Sequence, residues 1–119
     1  MKTEFVLALS IFVLANILYG QSDYKNLKVL DPMIEKSELK LLMKGYTKSL
    51  GVKCNFCHVP DAFHKDDKKH KLIARDMIAM TTSIRADLKA TFPKEDMSEK
   101  FSCAVCHAGS ANPEWIGTH

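Results

Sequence analysis

The chain has 119 residues, 46% of them hydrophobic and 26% charged, with a formal net charge of +3. That length holds one small domain, and so weak a positive charge excludes an electrostatic argument for a nucleic-acid partner. A domain this small has a poor surface-to-volume ratio and often needs staples.

The first twenty residues read as a targeting segment. Lys2 gives a weakly positive start, and Phe5 to Leu18 is an apolar run broken only by Ser10 and Asn16. A bilayer span takes about 20 residues, so this run suits the apolar region of a secretory signal. Cleavage is expected after Gly20, with Ala15 as the alternative, giving a signal peptide over 1–20 and a domain over 21–119. Lys2 and Glu4 leave together, so the exported part keeps a charge of +3. The expected location is the periplasm.

Gln21 to Leu30 forms an arm that ends at Asp31-Pro32. A first helix is expected from Ser37 to Leu50. Ser37 suits the cap, Glu38 suits the positive end of the dipole, and Gly51 suits the stop. Leu39, Leu42, Met43, Tyr46 and Leu50 fall on one helical face. Gly45 lies mid-helix, where it costs about 1 kcal/mol against Ala, which a close approach by something bulky would explain. A second helix is expected from Asp67 to Ala90, with Ile73, Met77, Met80, Ile84 and Leu88 as its apolar stripe and Pro93 as its end. One short turn is expected between Lys94 and Phe101, and an irregular tail after His107. No segment alternates at period two, so the fold class is all-α.

Two motifs carry the chemistry: Cys54-Asn55-Phe56-Cys57-His58 and Cys103-Ala104-Val105-Cys106-His107. All four cysteines of the chain fall in them, and each pair is followed at once by His. This is the attachment signature of c-type haem. Two thiols add across the two vinyl groups of one porphyrin, and two intervening residues on a tight turn set the sulfur spacing. The adjacent imidazole then meets the iron as proximal ligand. Two disulfides would leave the paired His unexplained. A four-cysteine zinc site usually leaves about 15–20 residues between its hooks, whereas residues 58–102 separate these. A thioredoxin-like pair needs a βαβ setting that is missing. The expected cofactor is therefore two covalently attached haems c, with Cys54, Cys57, Cys103 and Cys106 as attachment points and His58 and His107 as iron ligands. The expected architecture is a small multihaem cytochrome c, its helices packed around both haems. Two buried porphyrins would supply much of the missing apolar core.

Leu50 to Val59 resembles the first haem motif of proteins related to the cytochrome c subunit of photosynthetic reaction centres. Asn26 to Leu30, Met43, Ala74-Arg75-Asp76-Met77, Cys103 to His107, Gly109 and Pro113 are similar to its small diheme relatives. The resemblance runs from about Asn26 to Pro113. It implies units of helix, turn and haem motif, with a Met on each helix ligating the iron from the far side. This chain has two motifs where the reaction-centre subunit has four. The connection from Ala90 to Cys103 is a few residues longer than usual, and Ala108 stands where the family often has a basic residue.

The residues alone leave the distal ligands open. Met43 sits on the apolar face upstream of His58, where it is either ligand or filler. Met77 and Met80 lie on the second stripe, about 60° apart. His64 and His70 compete, although they fall in a charged stretch, Lys65 to Lys71, that reads as solvated loop and first helical turn. The resemblance implies Met43 for the first haem and Met77 for the second. Arg75 suits either a propionate or a surface ion pair.

The function expected is one-electron transfer between redox proteins of an electron-transport chain, soluble or membrane-bound, with no small-molecule substrate and no catalytic residues. The competing reading is a diheme redox enzyme such as a peroxidase or nitrogen-oxide reductase. It would need an open iron and distal acid–base residues, and no His-Arg pair stands at a convincing spacing. A third reading is a non-haem module held by disulfides or zinc.

Overall fold

The computed structural model describes residues 24–113. The assigned signal peptide and its cleavage site lie outside the described residues. Among those described, the secondary structure is helical, with one isolated bridge between Val59 and Ala62 and no named strand. The all-α expectation holds.

Helix α1 spans Lys36–Leu50. Its cap is Glu35 rather than Ser37, and no side chain bonds the free amides there. Ser37 instead occupies the first turn, so the expected cap is corrected by two residues. The C-terminus ends as the sequence indicates. Gly51 takes φ 64°, its N–H reaches Lys48 O at 3.4 Å, and Val52 N–H reaches Thr47 O at 3.0 Å. This pair of reverse bonds is the Schellman arrangement that satisfies a helix's last carbonyls.

A short 3₁₀ turn, Cys54–Phe56, follows directly. The loop beyond it turns twice, with Ala62 N–H on Val59 O at 3.1 Å and Lys65 N–H on Ala62 O at 2.9 Å. Helix α2 then runs Lys69–Thr91. It starts two residues later than Asp67 because Lys68 is extended, at φ −99° and ψ 123°. It ends at Phe92, since the residue before Pro93 is disfavoured in the α region. The short turn expected between Lys94 and Phe101 is α3, Met97–Lys100. Arg85 of α2 donates to Ser98 O at 2.8 Å, tying α3 to the long helix. Helix α4, Cys103–His107, is the second Cys-x-x-Cys-His motif itself.

Two packings organise these pieces: α3 rests on α2, and α4 rests on α1. The second packing is fixed by a main-chain bond, Gly109 N–H to Ser49 O at 2.9 Å. Among the described residues no apolar side chain is buried; the two buried ones are Lys71 and Ser98. The apolar stripe of α2 is open to solvent, with Met77 38% and Met80 48% exposed. These helices supply apolar faces without interdigitating into a core of their own.

Candidate haem attachment sites

The first motif is held by its 3₁₀ turn. Phe56 N–H bonds Lys53 O and His58 N–H bonds Cys54 O, each at 2.9 Å. Lys68 donates to the Asn55 carbonyl, and Phe56 stacks on His70 with ring centroids 4.0 Å apart. Thr47, Val52, Lys53, Cys54 and Asn55 line a hollow beside this turn. Met43 is half-buried on α1, one turn before Thr47 on the same face. A Cβ built at Gly45 meets nothing within 4 Å, so the mid-helix glycine faces open space.

The second motif begins where Ser102 is extended and ends where Ala108 turns left-handed at φ 46°. A second hollow is lined by Met77, Met80, Ile84, Cys103, Cys106 and His107, among others. The fold therefore brings both candidate methionines of α2 to the second motif.

The four cysteines are free thiols. Among the described residues no group of three or more His, Cys, Asp or Glu side chains converges to hold a metal ion. Burial pushes the Cys57 thiol above its usual range, partly opposed by the charge of Lys68. Each motif histidine is fixed by its Nδ1. His58 donates to Phe63 O at 3.0 Å, and His107 donates to Ser110 O at 2.9 Å. A carbonyl only accepts, so Nδ1 carries the proton and Nε2 keeps its lone pair. That tautomer and that outer bond are what a metal-ligating imidazole requires. At the second motif the paired thiols, an imidazole engaged through Nδ1 and a hollow lined by Met77 and Met80 fit a covalently attached haem; at the first motif the paired thiols and the imidazole fit one, and Met43 does not line the hollow beside them.

The charged stretch after the first motif is more than a solvated loop. Asp66 receives Arg75 at 2.9 Å and Asn26 at 2.9 Å, with Lys71 at 3.1 Å and Lys28 at 3.5 Å. The bond from Arg75, then that from Asn26, holds the Asp66 carboxyl well below the usual carboxylate range. Arg75 is thus committed to Asp66 and to Asn26 O at 3.2 Å. Asn26 also donates to the His64 carbonyl. The ion pair open to Arg75 in the sequence is made with Asp66, and no pattern in the sequence marks Asn26, Lys28 and Lys71 as its companions.

A family model described as the photosynthetic reaction centre cytochrome c subunit matches residues 15–119. The chain belongs to this family. Its members are c-type cytochromes of electron transport, which bind haem covalently. One relative is the photosynthetic reaction center cytochrome c subunit of Thermochromatium tepidum, 29% identical over 94 residues, covering 77% of this chain and 22% of that protein. Another is cytochrome c-554 of Chloroflexus aurantiacus, 26% identical over 87 residues, covering 73% of this chain and 21% of that protein. The chain thus spans about a fifth of the length of these curated relatives. No solved structure matches.

Proposed function

We propose that the chain is a diheme electron carrier, with one haem attached through Cys54 and Cys57 and a second through Cys103 and Cys106. The observation that carries this reading is the shared geometry of the two motif histidines. In both, the ring nitrogen facing the protein is bonded to a main-chain carbonyl. In both, Nε2 would be the nitrogen to meet an iron.

When bound, the haems supply a one-electron ferric/ferrous couple. His58 and His107 would each hold one iron through Nε2. Met43 is proposed as the second ligand of the first iron and Met77 of the second, where a thioether raises the potential relative to a second imidazole. The hollow at His107 is also lined by Met80, which on this assignment packs beside the ring. The partners proposed are redox proteins of an extracytoplasmic electron-transport chain, reached after cleavage behind Gly20. The chain acts as a carrier, not as an enzyme.

Mass spectrometry of protein made in a host with cytochrome c maturation machinery tests this. The expected result is two haem masses, no free thiol, and an N-terminus at Gln21. The Cys103→Ala, Cys106→Ala double variant is expected to keep one haem on the peptide containing Cys54. One haem on the unaltered chain, or intramolecular disulfides without haem, overturns the reading.

A further inference from the structure

The two motif histidines share one device, but what stands behind their carbonyls differs. Ser110 O receives His107, and no cationic side chain among the described residues bonds to it. Phe63 O receives His58 at 3.0 Å and also Lys71 Nζ at 2.8 Å. Lys71 is only 7% exposed. Its ammonium has three donors, and they reach Phe63 O, Lys65 O at 2.6 Å and Asp66 at 3.1 Å. A buried lysine with every donor used is a built feature, since an unpaired one is costly.

Lys71 therefore does two things to the outer bond of His58. It pins Phe63 and Lys65, which fixes the carbonyl beneath the ring. It also draws on the same oxygen that His58 uses. An imidazole that donates strongly becomes more basic and gives more electron density to its metal. A carbonyl already polarised by an ammonium is a poorer acceptor for that donation. A buried cation near the site also disfavours the more positive ferric state. Asp66 opposes this charge, but it faces three cations, Lys28, Lys71 and Arg75. The weakened acceptor and the buried charge act in one direction, toward ferrous iron.

We infer that Lys71 is a positioning residue for His58, which holds the Phe63 carbonyl under Nδ1 and raises the reduction potential of the first haem. The inference rests on His58 ligating a haem. It makes the two haems inequivalent through the protein alone, whatever their distal ligands.

The test uses the holoprotein with Lys71→Met, Lys71→Gln and Lys71→Arg. Haem on each motif is counted first by peptide mass, then both potentials are measured by spectroelectrochemical titration. Lys71→Met and Lys71→Gln are expected to shift the first haem toward ferric iron by several-fold in the redox equilibrium. A tenfold shift is about 59 mV for one electron. The second haem is expected to stay put, and Lys71→Arg to restore the first. In the ferrous protein the Nδ1–H proton resonance of His58 is expected to move, and that of His107 to stay. An unmoved first potential, an equal shift of both haems, or no rescue by Arg overturns the inference. If neither neutral variant folds, Asp66→Asn decides it: the first potential rises if the cluster acts on that iron, and an unmoved value overturns the inference. Absence of haem on the Cys54 peptide of the unaltered protein would instead defeat the functional reading itself.

Discussion

Replacing Gly51 by Ala should destabilise the fold more than a surface glycine change normally does. Two separate demands meet at this residue. Its φ is 64°, a region that costs an L-residue about 1–2 kcal/mol. A Cβ there would also lie 2.1 Å from the carbonyl oxygen of Gly109, which is backbone and cannot swing aside like a flexible side chain. Relief requires Gly109 to move, and Gly109 is the residue whose N–H bonds Ser49 O at 2.9 Å. Losing that bond costs about 0.5–1.5 kcal/mol. A less flexible unfolded chain returns about 0.4–1 kcal/mol. The net loss is about 2 kcal/mol by these terms. In a domain of this size that lowers Tm by roughly 8–16 °C. Thermal unfolding of the holoprotein by far-ultraviolet circular dichroism measures it. Gly51→Asn separates the two demands, because Asn tolerates the left-handed region but carries the same Cβ. Near-normal stability in Gly51→Asn would refute the steric half of the argument.

Three other outcomes follow from the site. Asp66 has a folded pKa below its unfolded value of about 3.9, so its stabilising effect is complete above that pH and is lost as pH falls toward the folded value. Acid unfolding followed from pH 6 downward should be blunted in Asp66→Asn, and identical acid slopes would contradict the cluster's role. Met43→Ala and Met77→Ala should open the first and second irons, respectively, to cyanide or carbon monoxide. Met80→Ala should leave both closed, and an open second iron in Met80→Ala with a closed one in Met77→Ala reverses the assignment on α2.

The helix C-termini were legible because they are written in local signals. Gly51 and Pro93 mark helix ends by backbone sterics alone, and both helices stop where those residues place them. The N-termini were less legible. Ser37 has the right chemistry for a cap, yet α1 begins at Lys36 without any side-chain bond. Lys68 is held extended ahead of α2, and its amine is committed to the Asn55 carbonyl. The two cysteine motifs were fully visible, since their spacing is the chemistry. Their outer shell was not, because Phe63 and Ser110 contribute main-chain carbonyls, which any residue carries. Lys71 reads as one more lysine in a charged run, and only the tertiary turn of residues 63–66 makes it buried. The choice between Met77 and Met80 stayed open for a geometric reason: both reach the same hollow.

Helix α1 explains how motifs so far apart in sequence come to share one small domain. Thr47 lines the hollow beside Cys54, and the preceding residue, Tyr46, lies close enough to Cys103 to feel its charge. Burial, and secondarily that thiol, pushes the Tyr46 phenol above its usual range. Adjacent helical residues point about 100° apart, so α1 turns one flank to each motif. The bond from Gly109 to Ser49 then closes the arrangement at the helix's end, directly behind His107. One wall and one clasp serve both motifs, so a defect at Gly51 should be felt at both haems rather than at the nearer one. Measured after Gly51→Ala, spectra of both haems should broaden or shift together; a change confined to the first motif would mean that the clasp holds only its own side of α1.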